Sequence, residues 1–513
     1  MKLERLAKAN LNSIVGKDIF CYEKSESYLR ELCAGFSVQG QIQGIIDDNK
    51  RSQGEIVICG RRLPIMDSSC LLEINWENSI LLITSDYYRE SYETLCQNSC
   101  VRENTDTIYY FVNRETQYEL DYREHYRDRG LENIIVFRSG PHASAYVKGM
   151  DFADNARALF EYMLAQGYNE RYQLIWLVKN PKEFDKWQSY KNVEFLSFDW
   201  SVSDNREERE RYYRALCLAK YIFFTDAYGF ARNCRPDQTR VQLWHGAGFK
   251  TRVNFVRCEK RYEYMTVISE VYSKIHQDIF GLRIDQMLVT GCAKEDWLFC
   301  PVRDWKEKLG VAKAQKYIFW LPTFRTAKAG LENLNEYDLE GQTGLPIVST
   351  YEGLSQLDGI LHSLDMVLVL KLHPFQDREK IGKVNMENIV VLDNEQLADL
   401  DIQINQLLGN ADAMISDYSS AAVDYLLLDR PMGFTLDDVE EYGESRGFVF
   451  PNIREWLPGK ELFSFEDFCS FVREIGADVD STREKRKMLK EKMHRYGDGN
   501  NCKRIVEALG IGI

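Results

Sequence analysis

Short apolar runs that stop abruptly at polar residues recur along this chain, separated by stretches of helical periodicity. IIVFRS, LIWLV and YIFFT fall between residues 134 and 225, and YIFWLPTFR, MVLVLKLHP and AMISDYSS fall between 317 and 420. A strand that is apolar on both faces fits a parallel sheet covered on each side by crossover helices, and the amphipathic stretch ADNARALFEYML supplies one such helix. The fold class is therefore α/β, with two tandem Rossmann-like lobes. Their strand-end loops are expected to face each other across a cleft, where ligands of open parallel sheets bind. The first lobe is expected over residues 128–305 and the second over 306–513, joined near residues 300 to 315.

Upstream, DIFCY, YLRELCAGF, IQGIIDDN, EIVICG and SILLITSDYYRESYETL continue the strand and helix rhythm. They define an additional N-terminal Rossmann-like α/β domain over residues 1–127, which resembles the small domains that often precede sugar-modifying enzymes. A dinucleotide site needs a glycine-rich turn after its first strand, because only glycine lets the backbone approach a pyrophosphate closely. Here that turn reads CYEKSES, so a docking or structural role is expected.

Composition narrows the function. Asp and Glu outnumber Lys and Arg by 79 to 65, which argues against a nucleic-acid partner, since a phosphate backbone requires a basic surface. The N-terminus carries no apolar signal segment and no run of 18 apolar residues occurs, so a cytoplasmic protein is expected. Thirteen cysteines are scattered without a CxxC pair. The closest pairs, Cys96 with Cys100 and Cys292 with Cys300, lack histidines at ligand spacing, so neither a disulfide framework nor a structural metal is expected. No tightly bound cofactor is expected either, and Mg2+ is left open.

Four segments carry chemistry. In AMISDYSSAAVDYLLLDRP an apolar strand gives way to a helix starting near Ser419 or Ser420, where a serine cap, free N–H groups and the helix dipole favour a phosphate. Ser416 precedes this turn and Asp417 orients it; an ordinary helix cap without ligand is the competing reading. In LKLHPF, Lys371 and His373 sit at a strand end, with Pro374 forcing the chain out of the sheet. A lone histidine there is more often structural, and its neighbours decide. In VQLWHGAGFK, His245 stands beside Gly246 and Gly248, with Lys250 adding charge. A histidine near neutral pKa in such a loop can take a proton from a substrate hydroxyl. In LPTFRTAKAG, Thr323 offers a hydroxyl and Arg325 a guanidinium fork for a diphosphate, and Arg446 in SRGFVF is similar; surface ion pairing is the alternative for both.

In order, WHGAGFK, GCAKEDWLF, PTFR, LKLHP, SDYSSAAVDYLLLDRP, DDVEEY, SRGF and GDGNNCKR resemble the CDP-glycerol glycerophosphotransferase family of teichoic-acid polymerases and primases. The resemblance covers residues 133 to 505. It implies a glycosyltransferase-B-like fold in which the C-terminal lobe holds cytidine diphosphate and the N-terminal lobe presents the acceptor. By carry-over His245 is the general base, and His373, Arg325, Ser419 and Ser420 are diphosphate ligands, His373 also steadying departing CMP as a cation or acid. Thr323, Lys371, Ser416, Asp417 and Arg446 join the donor-binding set, with Gly246 and Lys250 in the acceptor loop.

The implied partners are CDP-glycerol or CDP-ribitol and a lipid-linked or glycan acceptor, at the inner face of the cell membrane. The basic stretch TREKRKMLKEKMHR allows peripheral attachment but reads more readily as a solvated helix. Two departures stand out. Gly291 leads Cys292, Ala293, Lys294, Glu295 and Asp296 where the family has proline, arginine, asparagine and aspartate, and Lys371 replaces a frequent arginine. The competing functions are a nucleotide-sugar transferase using CMP-sialic acid and a non-catalytic assembly subunit.

Overall fold

The computed structural model describes residues 1–48, 54–140, 148–225, 235–251, 262–323, 341–373, 376, 381 and 386–513. The chain forms two compact units, Met1–Arg129 with Asp199–Cys217, and Gly130–Phe198 with Leu218–Ile513.

The first unit is built on a seven-stranded sheet in the order Lys2–Arg5, Thr107–Tyr110, Ser79–Ile83, Asp18–Tyr22, Ile42–Ile46, Arg61–Met66, Gly54–Ile58. All neighbours are parallel except the last pair, so EIVICG forms a hairpin with the following strand rather than beginning another crossover. In the CYEKSES turn Glu23 adopts φ +68° without being glycine. Its carbonyl oxygen accepts the Thr84 hydroxyl at 2.9 Å. Residues 199–217, expected in the first lobe, pack here instead. Tyr213 of helix Arg206–Leu218 stacks on Tyr122 with centroids 4.7 Å apart, and Tyr126 donates its hydroxyl to Glu210.

The second unit contains two all-parallel sheets. The first runs Val193–Ser197, Gln173–Val178, Glu132–Arg138, Ala219–Phe224, Thr239–Gln242, Tyr264–Val267, Met287–Val289. The second runs Ile389–Leu392, Met366–Lys371, Lys316–Leu321, Ala413–Ser416, Met432–Thr435, Lys460–Leu462. In each, the third, second, first, fourth, fifth and sixth strands of that sheet lie side by side, the doubly wound order. The direction of winding reverses between the first and fourth strands, and a crevice opens there at the carboxyl ends. The flanking pairs are Glu132–Arg138 with Ala219–Phe224, and Lys316–Leu321 with Ala413–Ser416.

Apolar strands bury both faces. Phe137 lies 5.5 Å from both Trp176 and Phe223, near parallel to each, while Trp320, Leu368 and Ile415 occupy the second core. Helix Asn501–Ala508 returns to the first core, where Cys502, Ile505, Val506 and Ile511 join the cluster around Trp176. The chain end expected in the second lobe thus packs on the first, the apolar face of that helix meeting Ala293, Trp297 and the cluster around Trp176. Asp296 caps it, accepting the amides of Asn501 and Cys502 at 2.8 Å each. The GCAKED and GDGNNCKR segments are therefore one interlocked structure.

Candidate active site

From the first lobe, strand Thr239–Gln242 feeds His245 into a tight loop. Trp244 takes φ +52° and Gly246 φ +113° on either side of it. Asn155, fully buried, pins this loop by donating to the Trp244 carbonyl at 2.9 Å, and its own oxygen accepts the Lys294 amide at 3.0 Å. Helix Asp154–Ala165 begins beneath. The Asp154 Oδ2 lies 2.7 Å from His245 Nδ1. Lys294 places its ammonium 3.6 Å from Asp154 Oδ1 and 3.2 Å from Asp424 Oδ2 of the second lobe, and donates to the His245 carbonyl at 2.5 Å.

Electrostatics follow from this packing. Burial alone would raise the Asp154 pKa, but Lys294 and His245 outweigh it and hold the carboxyl down at about 2. Burial would likewise lower Lys294, and Asp424 and Asp154 together raise it above the ordinary lysine value, so the ammonium stays charged. Asp424 is raised by burial, which Lys294 only partly offsets. One cation serves two carboxylates, and Asp154, which also faces His245, keeps the fuller charge.

From the second lobe, Thr323 follows strand Lys316–Leu321 and Asp417 follows Ala413–Ser416. The Asp417 carboxylate accepts the Thr323 amide at 2.8 Å, the Thr323 hydroxyl, and the Tyr418 amide at 2.6 Å. The Ser416 hydroxyl donates to the Leu321 carbonyl at 3.0 Å. Both Ser416 and Asp417, expected among the donor-binding residues, are completely buried outside the cavity lining, where they fasten strand ends. Ser419 caps helix Ser420–Tyr425, its oxygen accepting the Ala421 amide at 3.3 Å.

Lys371 ends its strand buried, its ammonium donating to the Leu372 carbonyl at 2.7 Å and to Asn394. Burial pushes it down to about 8, against a smaller opposing effect of Asp393. His373 keeps part of its surface open to the cavity, yet burial, then Lys250 and Lys371, lower it to about 3. Both lysines thus oppose a further positive charge on the ring beside them.

These elements enclose a cavity of about 400 Å³. Asp154, His245, Lys250 and Lys294 line it from the first lobe, and Thr323, Lys371, His373, Asn394, Ser419 and Ser420 from the second. Five expected donor residues and two expected acceptor-side residues thus meet in one place. Gly246 lies behind the wall, where a Cβ would come within 3.4 Å of Lys294 Nζ and Asp424 Oδ1. Arg446 is not in the lining. It ends helix Val439–Ser445, and its carbonyl accepts the Thr251 hydroxyl at 2.8 Å. Beside it, Thr251 donates its amide to Gly447 and Val449 to Phe249, so the WHGAGFK and SRGF segments pair across the lobes. Arg325 lies outside the described residues. Among the described residues no group of three or more His, Cys, Asp or Glu is placed to hold a metal ion.

The sequence did not single out Asp154, Asn155 or Asp424. The signal available for the first two was a polar Asp-Asn pair opening an otherwise apolar helix just after a switch-point strand.

The family model "CDP-Glycerol:Poly(glycerophosphate) glycerophosphotransferase" matches residues 131–510. The teichoic acid ribitol-phosphate polymerase TarK of Staphylococcus aureus is 25% identical over 335 residues, covering 61% of this chain and 61% of TarK. The S. aureus teichoic acid glycerol-phosphate transferase is 24% identical over 404 residues, covering 74% of this chain and 93% of that protein. The matches thus span less than two thirds of TarK, and 55% of the related polymerase TarL. The solved wall teichoic acid polymerase TagF shares the fold, with a TM-score of 0.57 at 20% identity over 77% of this chain and 93% of its own. With the family model matched over residues 131–510, nearly three quarters of its length, the chain belongs to the CDP-glycerol:poly(glycerophosphate) glycerophosphotransferase family.

Proposed function

We propose that this protein transfers glycerol phosphate, or a related polyol phosphate such as ribitol phosphate, from a CDP-linked donor to a hydroxyl of a cell-envelope polymer. The observation that carries this reading is the convergence of His245 from one lobe with Lys371, His373, Ser419 and Ser420 from the other on one cavity. A diphosphate needs several positive or hydrogen-bonding groups, and an acceptor hydroxyl needs a base on the opposite side. The groups lining the cleft support both requirements. The family membership and the names of the relatives, which include glycerol-phosphate and ribitol-phosphate enzymes, support the same donor class.

In this mechanism the acceptor oxygen attacks the phosphorus that carries the polyol. His245 takes the hydroxyl proton, a new P–O bond forms, and the bond to the CMP oxygen breaks, so that a phosphodiester and CMP result. Positioning and charge neutralisation carry most of the rate enhancement. Lys371 and the hydroxyls of Ser419 and Ser420 face the diphosphate, with Thr323 completing the wall and Arg325, by its place in the PTFR motif, added to the set. His373 contributes a hydrogen-bonding ring that steadies the departing CMP. The acceptor is a lipid-linked or glycan chain met at the inner membrane face. No described helix is long and apolar enough to cross a membrane.

The test offers CDP-glycerol, CDP-ribitol, CMP-sialic acid and UDP-sugars with membrane extract as acceptor, following CMP release and polymer labelling together. Labelling from a CDP-polyol is expected. Labelling from CMP-sialic acid with none from either CDP-polyol would overturn the reading.

A further inference from the structure

We propose that Asp154 is a positioning residue for this transfer, orienting His245 through Nδ1 and fixing the tautomer whose basic lone pair lies on Nε2, with Lys294 holding Asp154 against Asp424 of the second lobe. The inference rests on His245 acting as the base. An imidazole whose Nδ1 donates to a carboxylate is fixed in one tautomer and one ring orientation, and its other nitrogen becomes the proton acceptor. The 2.7 Å contact between His245 Nδ1 and Asp154 Oδ2 is of this kind.

The backbone around Asp154 is built for that contact. Asp154 takes φ +62° at the first position of its helix, a conformation few non-glycine residues adopt, and one that clusters at functional sites. It is held there by Gln403, whose Oε1 accepts the Asp154 amide at 3.3 Å, and by Ser139, whose hydroxyl oxygen accepts the Ala153 amide at 3.0 Å. A helix that merely needed a start would take ordinary angles. The left-handed turn instead aims the carboxylate back at the WHG loop.

Lys294 then closes the arrangement. It is nearly buried, with 11% of its side chain exposed, and touches both carboxylates and the His245 carbonyl. Oδ1 of Asp154 and Oδ1 of Asp424 accept no hydrogen bond among the described residues, so their charge is balanced by this ammonium. Asn405 secures Asp424, donating to Oδ2 at 3.1 Å. Asp424 sits on the helix that opens with Ser419 and Ser420, so the base and the donor wall share a single charge chain. The charged or titratable groups facing His245 are Asp154 and Lys294 beside it, Asp424 behind Lys294, and Lys250, Lys371 and His373 around the cavity.

The experiment measures kcat, donor KM and the pH profile for CDP-glycerol with membrane-extract acceptor, together with Tm. For Asp154→Asn we expect kcat to fall about 10²-fold or more with donor KM nearly unchanged, the scale of general-base assistance. The acid limb should move to lower pH, because the imidazolium loses its carboxylate neighbour. Asp154→Glu, which keeps the charge but misplaces it, should lower kcat while leaving the limb near its wild-type position. It also serves if the Asn variant does not fold. Asp154→Asn working within about threefold of wild type would overturn the proposal. So would a loss of rate with no limb shift that merely tracks a lower Tm. His245→Ala separates the two levels: if it still transfers, the base assignment itself fails, whereas an inactive His245→Ala beside an active Asp154→Asn rejects only the positioning role.

Discussion

Asp417 takes both the amide and the hydroxyl of Thr323, tying together the two strand ends that flank the switch point of the second sheet. Replacing it by Ala removes the acceptor of the Thr323 and Tyr418 amides in a buried place, and each lost hydrogen bond of this kind costs about 1 to 3 kcal/mol. Asp417→Ala is therefore expected to lower Tm and to weaken donor binding together, since the loosened Thr323 lines the cavity. Thermal unfolding and calorimetry with CDP-glycerol check this. An unchanged Tm would mean the tie is not structural.

Lys371 gives a pH dependence with a definite sign. Its ammonium is held down to about 8 by burial, so it is mostly charged at neutral pH and loses its proton as the pH rises through that value. The charged form is the one that attracts a diphosphate, so donor affinity should hold up to about pH 7 and weaken above 8, approaching tenfold per pH unit. Lys371→Met should bind donor weakly throughout and show no such slope. Titration of CDP-glycerol between pH 6.5 and 9.5 reads both, the range being set at about 1.5 units either side of that pKa.

Gly291 carries the junction between the GCAKED loop and the terminal helix. It adopts φ +81°, and a Cβ there would lie 2.3 Å from the Asn501 side chain. Gly291→Ala is expected to cost about 3 kcal/mol from the left-handed backbone and the clash together. Asp296→Ala, which strips the cap from helix Asn501–Ala508, should cost about 1 kcal/mol. Ranking the two by thermal unfolding tests the order.

Removal of the first unit should not be neutral. A chain starting near residue 128 leaves helix Arg206–Leu218 without Tyr122 and Tyr126, the partners of Tyr213 and Glu210. Such a chain is expected to aggregate, or to unfold at a lower temperature than the full protein. A soluble, equally stable truncated chain would show that this helix needs no cover.

Much of this was legible because the informative residues sit where apolar runs stop. His245, Lys371, His373, Thr323, Ser419 and Ser420 each lie at or just beyond the carboxyl end of a strand whose hydrophobic pattern announces it. Asp154 and Asp424 escaped notice because each lies on a helix, and their meeting through Lys294 depends on the distance between two lobes, which no local pattern encodes. Strand Lys2–Arg5 was invisible for another reason: it is a short, charged edge with no buried residue. The hairpin Gly54–Ile58 with Arg61–Met66 has the same apolar content as a crossover strand, so composition alone could not distinguish the two. Ser416 and Asp417 turn inward to the Leu321 carbonyl and to Thr323, and which way a side chain faces at a strand end is not written in the local hydrophobic pattern.

The return of helix Asn501–Ala508 to the first core means that the chain passes between the lobes twice, once near Trp297 and Leu298 and again between Met493 and Asn501. A lobe attached by one strand of backbone can both swing and twist. Two attachments restrict the twist and favour rotation about the line that joins them, so that any change in the separation of His245 and the Ser419 helix start would be confined to a single path.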